Sequence, residues 1–154
     1  MNEKLIEWND TDIEIGYKGS LDVLLHERFT ENAECVAAKD QSVEFTYAQL
    51  AVSDIVRAAA EQNVCVLVGN RAERLAYVTG IIKAGKTYVP LGMNTPVKRN
   101  MEIVSNVEPG FILTDEENRA DAELIASECG VPAEKVLIRT MSELEKADCG
   151  FTPS

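Results

Sequence analysis

The sequence predicts an α/β fold, layered βαβ units around a mostly parallel sheet, on three observations. Apolar, β-branched runs recur at 64–68, 87–91, 111–114 and 136–139. Helix-patterned segments of about 10 to 16 residues separate them, the length of crossovers rather than hairpin turns. The run at 64–68, VCVLV, lacks polar alternation, which suits a strand covered by helices on both faces.

Each element follows in order. Residues 21–32 (LDVLLHERFTEN) place Leu21, Leu24, Leu25 and Phe29 on one helical stripe. Segments 36–39 and 43–46 flank the polar turn Asp40-Gln41-Ser42 and predict a small hairpin. Thr46 and Gln49 have capping-box spacing, predicting a helix of about 16 residues that buries Leu50, Ile55 and the alanines Ala58 to Ala60. After the strand at 64–68, the segment 71–84 is helical, with Leu75, Val78, Ile81 and Ile82 as its apolar positions. A strand at 87–91 leads to a helix over 96–106 with Pro96 in its first turn. The strand 111–114 precedes a helix capped by Asp115, with Glu116 and Glu117 at its positive end, running to about Cys129. Gly130-Val131-Pro132 stops it. A strand at 136–139 and a short helix at 141–146 complete the pattern. The expected organisation is a lead-in over 1–20, one α/β domain over 21–148 and a frayed end over 149–154.

Composition restricts function more than it reveals it. The 154 residues are 45% hydrophobic, 27% charged and 6% aromatic, the profile of one globular domain. Fifteen Lys and Arg against 26 Asp and Glu leave a formal net charge of −11, which argues against nucleic acid or an anionic membrane as partner. No secretory leader pattern opens the chain, and no apolar run approaches the roughly 20 residues of a membrane-spanning helix. Cys35, Cys65, Cys129 and Cys149 form no CxxC pair. With His26 the one histidine, they do not suggest a zinc site, and they read as reduced thiols of a cytoplasmic protein. His26 itself reads as a solvated or capping residue, because no nucleophile pattern accompanies it. The carboxylates between Asp115 and Glu128 read as a solvated helix face.

One string invites a wrong reading. Residues 80–87, GIIKAGKT, match the phosphate-loop pattern GxxxxGK(S/T). That loop needs a strand before its first glycine and a helix starting at its lysine, so that helix amides and dipole face the phosphate. Here Gly80 falls inside a helix, Gly85 stands where a left-handed C-terminal cap belongs, and TYVPLGMNTP continues as a strand. A dinucleotide fingerprint is missing too, since only Gly69 follows the strand at 64–68 where three spaced glycines are required.

Read as IIKAGKTYVP, residues 81–90 resemble the LKAGxAYVPLDP motif of adenylate-forming enzymes, and in particular of the amino-acid adenylation domains of nonribosomal peptide synthetases. Upstream, FTYAQL at 45–50 resembles the (L/F)TYxxL motif of the same family, in the same order along the chain. The residues carrying the resemblance are Phe45, Thr46, Tyr47 and Leu50 in the first motif, and Lys83, Ala84, Gly85, Tyr88, Val89 and Pro90 in the second. LIEWNDT at 5–11 resembles the W-N-x-T segment that precedes such domains, and FILTD at 111–115 the strand after the second motif. Two departures stand out: EQNVC at 61–65 replaces a longer glycine-containing turn, and Leu91-Gly92-Met93-Asn94 replaces Leu-Asp-Pro.

The resemblance implies part of the large N-terminal subdomain of an adenylation domain, with both motifs structural. No catalytic, cofactor-binding or metal-binding residue is assigned in this chain. For the parent enzyme it implies ATP and Mg2+, a carboxylate joined to AMP, and transfer of the acyl group to a phosphopantetheine thiol. No TSGTTGxPKG-like segment follows Asp115, so the piece alone is expected to be inactive. Its expected partners are the remainder of the adenylation domain and a carrier-protein domain, with self-association through exposed apolar surface. The alternatives are a stand-alone binding or assembly module on the same scaffold, and a small flavodoxin-like cofactor-binding domain.

Overall fold

Backbone pairing in the computed structural model sorts six strands among the described residues into two groups. The structure describes residues 19–41, 43–50, 60–69 and 71–138, with 4, 8, 10 and 16 before them. Helix α1 (Leu21–Glu31) leads to β1 (Val36–Lys39) and β2 (Glu44–Thr46), which pair antiparallel, then to a 3₁₀ turn at Ala48–Leu50. Next come β3 (Asn63–Leu67), α2 (Ala72–Lys83), β4 (Thr87–Pro90), α3 (Val97–Val107), β5 (Phe111–Thr114), α4 (Arg119–Cys129), a 3₁₀ turn at Ala133–Lys135 and β6 (Val136–Ile138). The larger sheet has the order β4-β3-β5-β6 and all its pairings are parallel. This is the α/β fold that the alternation predicts.

The even run VCVLV becomes β3, an inner strand buried on both faces. Val64 and Val66 face one core, with Phe29, Phe45, Leu50, Tyr77 and Ile81 from α1, the hairpin segment and α2. Cys65 and Leu67 face the other, with Val104 from α3 and Ala122 and Ile125 from α4. The period-2 alternation of strand side chains thus divides one apolar run between two cores. No helix among the described residues is long and apolar enough to cross a membrane.

Several local expectations need correction. Asp115 does not cap α4; that helix begins at Arg119 after Asn118, and Glu116 and Glu117 lie in the preceding turn. The side chain of Asp115 is shared instead between the turn that precedes α4, through Asn118, and the remote Gly69 amide. Leu21 is 54% exposed, since it starts α1 beyond the surface that Phe29 buries. On α2 the apolar count mislocates the buried face. Leu75 is exposed and Val78 and Ile82 half-buried, whereas Ala72, Ala76, Tyr77, Thr79, Gly80, Ile81 and Lys83 pack inward. Burial on α2 thus follows the face turned to the sheet, which holds small residues, Tyr77, Ile81 and Lys83 together, rather than hydrophobicity alone. Pro96 precedes α3 rather than occupying its first turn. Ala60 is an exposed bend residue, not part of a buried helical face. The rest of that predicted helix, 51–59, lies outside the described residues, as do 5–7, 9, 11, the last residue of the 136–139 strand, the 141–146 helix, the 149–154 end and Cys149.

The turn after β4 is held by a side chain of α3. Asn100 of α3 accepts from the Gly92 amide at 3.2 Å and donates to the Gly92 carbonyl at 2.9 Å. A buried side-chain amide thus pairs with the loop backbone as a neighbouring strand would.

Candidate functional site

The two motif segments meet around one aromatic ring. Thr46 and Gln49 form a reciprocal capping box, the Gln49 amide donating to Thr46 Oγ1 at 3.3 Å and the Thr46 amide to Gln49 Oε1 at 2.9 Å. This starts the 3₁₀ turn that buries Leu50, while β2 buries Phe45 completely. The Tyr47 ring stands edge-on to Phe29, 5.2 Å between centroids and 61° between planes. From the second motif, Lys83 is only 5% exposed and holds Nζ 5.1 Å from the centre of the same Phe29 ring. Burial opposes a lysine's charge, and the ring face supplies part of the missing stabilisation. Ala84 and Tyr88 pack on this core as well, and Tyr88 Oη accepts from Arg74 at 3.2 Å.

Phe45, Tyr47, Leu50, Lys83, Ala84 and Tyr88 therefore gather on one face of the sheet. The others do not join them: Thr46 caps, Gly85 is exposed, Val89 faces the α3–α4 core and Pro90 is exposed at the edge of β4. Phe29, the residue both motifs touch, is legible in the sequence only as one apolar position of the first helix.

The phosphate-loop string folds as its residues predict. Gly80 is the ninth residue of α2 and buried, and Gly85 adopts φ +68° just past the helix end. The Gly85 amide donates to Ile82 O at 2.9 Å and the Lys86 amide to Ile81 O at 3.0 Å, the paired bonds of a Schellman cap. Lys86 Nζ donates to the Glu61 carbonyl at 3.1 Å. Amides and ammonium are engaged with the protein itself, so these residues do not fit a nucleotide phosphate.

The geometry draws attention instead to the carboxyl ends of β3 and β5, where a sheet of this kind reverses strand order and commonly binds ligands. The chain leaves β3 toward β4 on one side and leaves β5 toward β6 on the other. Asp115 closes the space between them. Its Oδ2 accepts from the Gly69 amide at 2.9 Å, and its Oδ1 from the Asn118 amide at 2.9 Å and side-chain nitrogen at 2.6 Å. Arg71 and Glu117 pair across the same gap at 2.7 Å, exposed to solvent. Beneath, Thr114 Oγ1 donates to Leu67 O at 2.8 Å and Tyr77 Oη reaches Thr114 O at 3.5 Å. Asp40, in the hairpin turn, accepts from the Ala72 amide at 3.0 Å and so caps α2 from 32 residues away. The crevice is a braced floor, with Asp40 and Asp115 engaged by backbone amides and Glu117 paired with Arg71. Sequence reasoning misses the cap that Asp40 gives α2 and the bond from Gly69 to Asp115, because Ala72 and Gly69 are remote from them in the chain.

Other chemistry is sparse. Among the described residues no group of three or more His, Cys, Asp or Glu could hold a metal ion. Cys35, Cys65 and Cys129 are free thiols, respectively exposed, buried and half-buried. Burial, with the neighbouring Cys129 second, pushes the Cys65 thiol up to about 12. The Glu61 carboxyl is held below its ordinary value chiefly by its hydrogen bond from Lys135. The acidic residues Asp121, Glu123 and Glu128 of α4 are exposed, as expected of a solvated face.

No family model matches the chain. It is 26% identical over 149 residues to a plipastatin synthase of Bacillus subtilis (strain 168), covering 92% of this chain and 6% of that protein. It is 31% identical over 124 residues to a linear gramicidin synthase of Brevibacillus parabrevis, covering 73% of this chain and 2% of that protein. The crystal structure of the nonribosomal peptide synthetase FmoA3 in its α-methyl-L-serine-AMP-bound form superposes with a TM-score of 0.72 at 22% identity, over 100% of this chain and 18% of that one. At that identity the superposition speaks for the fold. The chain spans a small part of each relative's length.

Proposed function

We infer that this chain, which matches the N-terminal part of the adenylate-forming superfamily in sequence and fold, is the scaffold portion of an ATP-dependent adenylating enzyme. The parent would join a carboxylate, in this reading an amino acid, to AMP with release of pyrophosphate. It would then pass the acyl group to the phosphopantetheine thiol of a carrier-protein domain. The observation that carries the reading is the single core in which both motif segments pack around Phe29, within a sheet that follows the FmoA3 fold over the whole chain.

ATP and Mg2+ belong to the parent reaction. Neither the GIIKAGKT amides, which cap a helix, nor Asp115, which accepts backbone hydrogen bonds, is arranged to hold either group. What these residues contribute is support: they hold β3 and β5 and the loops at their carboxyl ends. Without donors aimed at a transferring phosphoryl group, little rate enhancement is available. The chain alone is therefore expected to catalyse no carboxylate-dependent exchange between pyrophosphate and ATP, while the product of the complete reading frame does. Exchange by the purified 154-residue chain, or none by the full product with any amino acid, overturns the proposal. A cytoplasmic setting is part of the same reading, supported by the free thiols. Its other partner would be the remainder of the adenylation domain, and in isolation the chain would self-associate.

A further inference from the structure

We draw no further inference here: the strongest candidate, the groove of about 420 Å³ between the C-terminal ends of α3 and α4 that Glu61, Lys135, Ser105 and Cys129 line, has polar groups that pair with one another (Glu61 with Lys135, Ser105 with Cys129), and nothing in the structure shows what fills it.

Discussion

At the scale of single residues, the chain separates groups that hold shape from groups that meet solvent. Asp115 accepts three hydrogen bonds from nitrogen donors and ties the loop after β3 to the loop after β5. Asp115→Ala leaves the Gly69 amide without its carboxylate partner, and a lost charged hydrogen bond of this kind costs about 1–3 kcal/mol. Urea denaturation should show that loss as a lower midpoint, and an unchanged midpoint would contradict the clamp. Cys65 gives a second residue-scale expectation. Its thiol ionises at about 12 in the fold against an ordinary value of 9.0. Below pH 9 both folded and unfolded thiols are protonated and the group contributes nothing that varies with pH. Between pH 9 and 12 unfolding releases a proton, so stability falls as pH rises through that window. In the native protein a thiol reagent at pH 8 should label exposed Cys35 quickly and Cys65 only after denaturant is added. Equal labelling rates would count against this packing.

At the scale of elements, helix ends are where remote residues matter most. The buried face of α2 carries Gly80 and Lys83, which a simple hydrophobic count assigns to neither core nor site. Its start is capped by Asp40 from the hairpin turn and its end by Gly85 with positive φ. A side chain at Gly85 meets no neighbour within 4 Å, so Gly85→Ala tests the backbone conformation alone. The left-handed region costs an alanine about 1–2 kcal/mol, and thermal or urea unfolding should register that loss. Lys86→Ala, in contrast, should leave nucleotide binding by this chain unchanged, because the lysine serves the Glu61 carbonyl. Loss of measurable nucleotide binding in that variant would restore the phosphate-loop reading. How much of these elements is legible beforehand depends on range. The Schellman cap and the Thr46–Gln49 box are contained within six residues and can be read from spacing. The Asp40 cap spans 32 positions, and Asp115 adds to its local bonds with Asn118 one from Gly69, 46 positions away.

At the scale of the whole molecule, the two edges of the parallel sheet differ. The Thr87 amide of β4 and that of Leu91 just beyond it donate inward, to Gln62 O and Val66 O. Alternation then directs the Pro90 position outward, and a proline nitrogen has no hydrogen to offer a further strand. At the other edge Val136, Leu137 and Ile138 are apolar and only partly buried among the described residues. The proposed self-association has its physical support there, against the repulsion of two chains that each carry −11. Light scattering should therefore show a mass that rises with protein concentration, and more steeply in high salt, where repulsion is screened. A monomeric mass across a wide concentration range at both salt levels would exclude it.

By itself the sequence determined the alternation of strands and helices, the parallel sheet, the refusal of the phosphate-loop string and the resemblance carried by FTYAQL and IIKAGKTYVP. These depend on periodicity, caps and short motifs, in which the interacting residues are neighbours in the chain. Only the tertiary structure decided that both motifs converge on Phe29, that Lys83 is buried over that ring, and that Asp40 and Asp115 serve distant amides. Those outcomes depend on which surfaces the folded chain brings together. A one-dimensional pattern records that a side chain is apolar or charged, whereas its partner is set by the stacking of α2 on the sheet and the placement of β3 beside β5.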